Sequence, residues 1–204
     1  DLNNLIAQQA LVVRNAEKHK NNPAFIDDAI ITISNSVDRM NNLLAKLKRN
    51  ESDYITRQNI SDVVTNAIDT SLRKGCVIEK DIELSKLDIN ADQTRLVMSL
   101  ANFIKNGLDA TPDNGRVHVK LRVIDDRAII TIEDNGVGMD WDFIQNRLFK
   151  PFETTKSGKG MGIGAYLARE YISELNGTLN VASKLGQGTL ITITLPLNKD
   201  EWVS

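Results

Sequence analysis

Three short segments carry side chains whose types and spacing could do chemistry together. They are Asn102-Phe-Ile-Lys-Asn106, Asp134-Asn-Gly136-Val-Gly138 and Gly158-Lys-Gly160-Met-Gly162-Ile-Gly164. On a helix, Asn102 and Asn106 stack their amides on one face. A neutral amide oxygen suits a Mg²⁺ ion whose charge is already balanced by phosphates. Asp134, closing an apolar run, can accept from an exocyclic amine. Gly136 and Gly138 remove side chains that would block a flat purine. The alternating glycines lead into an apolar stretch from Ile163 to Leu175 that reads as a helix, whose start offers bare N–H groups to phosphate oxygens. Each signal is weak alone, and their order carries the information.

Blander readings compete for the same residues. Asn135-Gly136 could close a hairpin, but Val137-Gly-Met-Asp140 does not begin a return strand. Gly160-x-Gly162-x-x-Ala165 loosely fits a dinucleotide fingerprint. That fold needs a strand just before it and an acidic residue about 20 positions later. The preceding segment is polar, and residues 177–197 contain no Asp or Glu. Gly158-Lys159 is followed by Gly160 rather than Ser or Thr, so no P-loop is present. Lys150, Lys156 and Lys159 individually read as well by solvation as by function. His118 in a strand pattern, His19 at a turn and the single Cys76 read as structural.

The rest of the chain must position these segments. At 204 residues and 41% apolar content, one large or two small domains with a real core are expected. A net charge of −2 argues against nucleic acid as the main partner. One cysteine excludes a disulfide framework, and no His/Cys cluster has zinc spacing. No run approaches the roughly 18 apolar residues of a membrane span, and no signal peptide is visible. The chain opens at Asp1 without an initiator Met, and so reads as a piece of something longer.

Composition changes near residues 50–60. All twelve glycines lie at or beyond Gly75, and the first fifty residues hold one aromatic, Phe25. Ile26, Ile30, Ile33, Val37, Met40, Leu44 and Leu47 alternate in steps of four and three, a coiled-coil seam about 30 Å long. Leu2, Leu5, Gln9, Val12 and Ala16 repeat the spacing with weaker residues. His19-Lys-Asn-Asn-Pro23 makes a turn between the two stretches, with Pro23 suited to a helix start. An antiparallel helical hairpin is predicted over 1–52. One seam is too little apolar surface to order so long an arm, so a second copy completing a four-helix bundle is expected.

From residue 53 the pattern turns to α+β. Strands are predicted at Asp53–Ile60, Val77–Leu84, Arg116–Ile124, Ala128–Glu133, Thr178–Ser183 and Thr189–Leu197, forming one sheet with helices on one face. Helices are predicted at Ser61–Arg73, with Ser61 as cap, at Asp92–Ala110 and at Gly162–Asn176. Asp125-Asp126-Arg127 and Leu185-Gly-Gln-Gly188 read as hairpin turns. Antiparallel hairpins and helices in separate blocks indicate α+β rather than a wound parallel sheet.

NFIKNGLDAT, EDNGVGM, LFKPFETTK and GKGMGIG, in this order and spacing, resemble the four boxes of a sensor histidine kinase. These boxes mark the ATP-binding domain of the gyrase, Hsp90, histidine-kinase and MutL superfamily, an α/β sandwich with a mixed sheet. The likeness covers residues 53–198, leaving 199–204 as a tail. The hairpin before it lies where such kinases carry dimerisation and histidine phosphotransfer. The resemblance implies ATP and Mg²⁺ as cofactors, with Asn106 and Asn102 at the metal and Asp134 reading the adenine amine. Gly136, Gly138, Met139 and Asp109 would line the nucleotide. Lys105, Lys156 and Lys159 would meet phosphate. Phe149, Phe152 and Thr155 belong to the third box and its lid. Gly160, Met161, Gly162, Ile163 and Gly164 let the lid move.

Related ATPases and serine kinases place a Glu four residues before the metal asparagine, where it serves as general base. Asn102 stands there and cannot take a proton, so a base must come from elsewhere; Glu79, Glu133 and Glu153 are open as substitutes. Asp1-Leu-Asn-Asn4-Leu resembles the segment just after the phospho-accepting histidine of these kinases. The chain begins one residue too late to contain that histidine. On this likeness Asp1 is the base orienting the imidazole, and Asn4 positions a water for dephosphorylating the partner. Gly164-Ala-Tyr-Leu-Ala-Arg-Glu-Tyr171 and Arg14-Asn-Ala-Glu-Lys-His19 are similar to the exosortase (PEP-CTERM) system kinases. A homodimer, a response-regulator receiver domain and an upstream sensory domain are the implied partners. The module would face the cytoplasm, its parent held at the bacterial inner membrane. The alternatives are an ATPase or serine kinase of the same superfamily, or a degenerate kinase acting as a dimeric scaffold.

Overall fold

Leu2 to His19 form helix α1 in a computed structural model that describes residues 2–19, 22–23, 25–33, 36–37, 55–72, 77–84, 88–112, 114–151, 153 and 162–198. His19, expected in a turn, is the last residue of α1, and its ring lies 5.4 Å from that of Phe25. The Asn22 N–H bonds back to the His19 carbonyl at 2.9 Å, and the Asn22 carbonyl takes the Ile26 N–H at 3.1 Å. Pro23 thereby opens a new helical stretch, where its missing N–H costs nothing. Residues 25–33 and 36–37 continue it. Ile26, Ile30, Ile33 and Val37 stay 41%, 60%, 44% and 48% exposed. Met40, Leu44 and Leu47 lie outside the described residues. No helix among the described residues is long and apolar enough to cross a membrane.

The chain divides into two compact units, Asp1–Asp53 and Tyr54–Ser204. The second runs β1 (Ile55–Asn59), α2 (Ile60–Ser71), β2 (Val77–Ile82), β3 (Asp88–Asp92), α3 (Gln93–Ala110), β4 (Arg116–Ile124) and β5 (Arg127–Asp134). Then come α4 (Trp141–Asn146), α5 (Gly164–Glu174), β6 (Thr178–Lys184) and β7 (Gly188–Pro196). The main sheet has the order β2-β4-β5-β7-β6. Only β2 and β4 pair in parallel, so the sheet is mixed.

The single sheet expected from sequence is in fact two. β1 leaves the main sheet and pairs antiparallel with β3, Ile55 opposite Asp92 and Asn59 opposite Asp88. β3 was not expected, because Asp88-Ile-Asn-Ala-Asp92 offers only Ile89 and Ala91 as apolar residues, both buried. The helix cap also moves. Asn59, not Ser61, caps α2, its Oδ1 accepting from the N–H groups of Ser61 at 3.0 Å and Asp62 at 3.4 Å. Ser61 Oγ instead donates to the Glu83 carbonyl at 3.1 Å. The Asp125-Asp126 turn forms as expected, both residues at positive φ, which matches the strand twist.

Helix α3 is central. It packs between α2 and α5 and lies against β4, β5 and β7. Leu96, Leu100, Phe103 and Ile104 share one buried cluster with Val117, Val119, Leu121, Ile130, Ile132 and Ile193. A tyrosine fixes α5 to the start of α3. The Tyr171 hydroxyl accepts from the Asp92 N–H at 2.7 Å, while Arg95 stacks 4.0 Å over its ring and bonds Glu174 at 2.7 Å. Tyr171→Phe leaves that N–H unpaired and is expected to cost about 1–2 kcal/mol. Urea unfolding checks this, and an unchanged midpoint would show the contact to be incidental.

Candidate nucleotide-binding site

Strand β5 turns Ala128, Ile130 and Ile132 inward, and the next position in that register is Asp134. A carboxylate therefore stands where alternation calls for an apolar side chain. It is 8% exposed. Such burial is costly without partners, and Asp134 has several. The Gly136 N–H donates to Oδ1 at 2.9 Å, and the N–H and hydroxyl of Thr189, opposite Asp134 in the ladder, lie close enough to pull the carboxyl's pKa down. Burial pushes the Asp134 carboxyl above the usual carboxylate range, against the pull of these donors. Its Oδ2 sits 3.5 Å from where a Cβ on Gly107 would be. Gly107 of α3, which sequence reasoning passed over, lets the helix approach the carboxylate. Its signal was present, since a glycine inside a strong helix pattern usually has a packing reason.

Immediately before Gly107, Asn106 Nδ2 donates to Asn102 Oδ1, one turn back along α3, at 3.1 Å. The two amides stack as the helical spacing requires. Asn102 also meets the first residue of α5, for a Cβ on Gly164 would lie 1.9 Å from Asn102 Nδ2. Helix α5 starts at that contact with no side-chain cap at Ile163, so its first N–H groups are not taken by a capping side chain of that residue. Gly162 precedes it at φ +68, the left-handed region that favours glycine. Asn102, Asn106, Gly162, Ile163 and Gly164 are thus brought together, with Asp134 behind Gly107 on the same helix.

The glycines of the second segment work differently from expectation. A Cβ on Gly136 would lie 2.5 Å from the Ala110 carbonyl oxygen, and one on Gly138, at φ +67, would lie 2.0 Å from that of Lys184. The space each side chain would take is filled by protein backbone rather than kept for a base. Gly136 docks the loop on the end of α3, where the Val137 N–H bonds the Ala110 carbonyl at 3.1 Å, and Gly138 docks it on the end of β6. The Met139 N–H donates to Ser183 Oγ at 2.8 Å. No return strand follows Asn135-Gly136; the chain goes on to α4, a short helix not expected from sequence because it buries none of its residues.

Lys105 and Asp109 border a shallow groove with Thr70, Ser71, Leu72 and Leu108. Phe149 packs against the core with the Arg169 guanidinium 5.0 Å over its ring. Asn4 lies on α1. Asp1, Phe152, Thr155, Lys156, Lys159, Gly160 and Met161 lie outside the described residues. Of the carboxylates open as a base, Glu153 is held by Arg147, whose Nε donates to it at 2.9 Å. Glu79 lies 3.8 Å from His118 Nδ1, and Glu133 is paired with His118 in register. That row lies on the sheet face opposite Val117 and Asp134, turned away from α3.

Residues 91–199 match the family model described as histidine kinase-, DNA gyrase B-, and HSP90-like ATPase. Sporulation kinase C of Bacillus subtilis (strain 168) is 33% identical over 164 residues, 78% of this chain and 37% of that protein. The signal transduction histidine-protein kinase AtoS of Escherichia coli (strain K12) is 35% identical over 137 residues, 67% of this chain and 22% of that protein. The crystal structure of full-length ShkA in complex with AMPPNP is similar with a TM-score of 0.64 and 25% identity, over 90% of this chain and 40% of that one. The chain spans well under half the length of these relatives. The antiparallel β6–β7 pair that follows α5 also excludes the parallel unit a dinucleotide fold requires. With the matched segment running from β3 through β7, the chain belongs to the histidine kinase-, DNA gyrase B- and HSP90-like ATPase family.

Proposed function

We propose that this chain binds Mg·ATP and is the catalytic core of a two-component sensor histidine kinase. The observation that carries the reading is the meeting of the Asn102–Asn106 pair with the uncapped start of α5, beside a buried Asp134. Asp134 accepts from the adenine amine, and the N–H groups at the start of α5 take phosphate oxygens. Asn106, oriented by Asn102, offers a neutral oxygen to the metal, which fits an ion already neutralised by phosphates. Bound there, Mg²⁺ supplies charge neutralisation for the transferring phosphoryl group. Lys105, Lys156 and Lys159 add mobile positive charge, and Phe149 and Phe152 hold the lid.

The transfer itself forms a bond between an imidazole nitrogen and the γ-phosphorus while the bond to ADP breaks. An aspartate of a response-regulator receiver domain then takes the group from the histidine. Asp1 orients the imidazole, and Asn4 positions a water for dephosphorylating the receiver domain. The amide at Asn102, where an ATPase needs a base, favours this division of labour over water activation within the ATP domain. The exposed row Ile26, Ile30, Ile33 and Val37 supports a second copy as the cover for the hairpin of 1–52. Sensory segments and any membrane attachment belong to the longer parent.

The test is incubation of the parent protein with γ-labelled ATP and Mg²⁺. Acid-labile, base-stable label that passes to a receiver domain is expected. The 204-residue polypeptide, whose only histidines are His19 and His118, is expected to bind ATP yet stay unlabelled. Steady release of phosphate without any phosphohistidine in the parent would favour an ATPase and overturn the kinase reading.

A further inference from the structure

We propose that Asn135 is a positioning residue for the nucleotide site, its side-chain oxygen ending the β4–β5 ladder so that the Gly136 N–H is delivered to Asp134. This role rests on the nucleotide reading above. The ladder pairs Val117 with Asp134, so its next step faces Arg116 with Asn135. Half of that step is ordinary, for the Asn135 N–H donates to the Arg116 carbonyl at 3.4 Å. In a regular antiparallel pair the Arg116 N–H would return to the main-chain carbonyl of Asn135. It donates instead to Asn135 Oδ1 at 2.8 Å.

That exchange of acceptors lets the chain turn. The side chain completes the last rung, and the ladder no longer needs the main-chain carbonyl of Asn135. Residue 136 can then fold back, and its N–H reaches Asp134 Oδ1 at 2.9 Å, a carboxylate accepting from two residues on. Among short side chains, those of Asn and Asp carry a carbonyl-type acceptor at this reach. Space is cleared for it, since Asn135 Oδ1 lies 3.1 Å from where a Cβ on Gly115, the residue before β4, would be.

The fold does not hang on this bond. It lies in an exposed position, so water can take the freed Arg116 N–H. Val137 holds the loop from its far side through its N–H on the Ala110 carbonyl at 3.1 Å. Removing the side chain therefore loosens residues 135 and 136, and with them the donor that fixes one oxygen of Asp134.

The experiment is a double-mutant cycle on Mg·ATP affinity, read by calorimetry on protein whose thermal midpoint is checked. Asn135→Ala is expected to weaken binding about five- to tenfold in the wild-type background. Once Asp134 is already Asn, the same change should cost less than about twofold, because the carboxylate it positions is gone. Asn135→Ser, whose hydroxyl is one bond too short for Arg116, should repeat the alanine result. Amide hydrogen exchange reads the bond itself. The Gly136 amide should exchange about tenfold faster in Asn135→Ala, and at the wild-type rate in Asn135→Asp, which keeps the acceptor. Equal weakening of ATP in both backgrounds, or an unchanged Gly136 amide in Asn135→Ala, would overturn the role of Asn135. Wild-type protein that binds no ATP would remove the nucleotide reading itself, whatever the exchange rates show.

Discussion

Asp134→Asn is expected to weaken Mg·ATP binding about thirty- to a hundredfold while leaving the fold intact. A hydrogen bond to a charged acceptor is worth about 2–3 kcal/mol, and each 1.4 kcal/mol is about tenfold in affinity. The amide that replaces the carboxylate keeps an oxygen for the Gly136 N–H, which donates at 2.9 Å in the wild type. What it loses is the negative charge and an acceptor aimed at the base.

The pH dependence of the two properties runs in opposite directions. Burial holds the Asp134 carboxyl above its ordinary value, so the native state takes up a proton more readily than the unfolded chain. Its contribution to stability falls as pH rises from the unfolded value to the raised native one. At neutral pH the full cost of the buried charge stands. Asparagine carries no such cost, so the variant's stability should lose this pH-dependent component. Binding needs the ionised acceptor. ATP affinity should therefore drop on acidification at a higher pH than an ordinary carboxylate would give, and Asp134→Asn should flatten that drop. Titration of affinity against pH in both proteins checks the sign; parallel curves would contradict it.

Gly164→Ala should separate the metal from the fold. The new methyl would lie 1.9 Å from Asn102 Nδ2, which is impossible without movement. Asn102 ends a short side chain and can rotate, but doing so breaks the 3.1 Å bond from Asn106. Alanine is also the better helix former, by up to about 1 kcal/mol. Stability should stay within about 1 kcal/mol of wild type, while the gain in ATP affinity on adding Mg²⁺ falls about tenfold or more. Affinities measured with and without Mg²⁺ decide the matter. An unchanged Mg²⁺ increment would place the metal away from the asparagines.

The parts of this fold visible in the sequence are those with long or local signals. Helix α3 has eighteen residues of apolar periodicity, and the Asp125-Asp126 turn needs only its two residues. The asparagine spacing survives because a helix fixes it locally. Other features depend on partners far along the chain. β3 is too short to announce itself; it pairs with β1, and Ile89 and Ala91 are buried in the common core. Asn59 and Ser61 are both competent caps, and the end of β1 decides between them. Thr189 comes to stand opposite Asp134, and Ser183 opposite Thr189, only through the register of β7 on β5 and β6 on β7. Gly136 and Gly138 were recognisable as necessary, but their reason is the backbone they touch, which no local pattern contains.

Calorimetric titration of the folded chain with ATP in the presence of Mg²⁺ bears most directly on whether these segments form one site. A single saturable binding event, reduced by Asp134→Asn and blunted in its Mg²⁺ dependence by Gly164→Ala, is the expected result. Well-folded protein that takes up no ATP, or binds it as tightly after Asp134→Asn, would contradict the assignment.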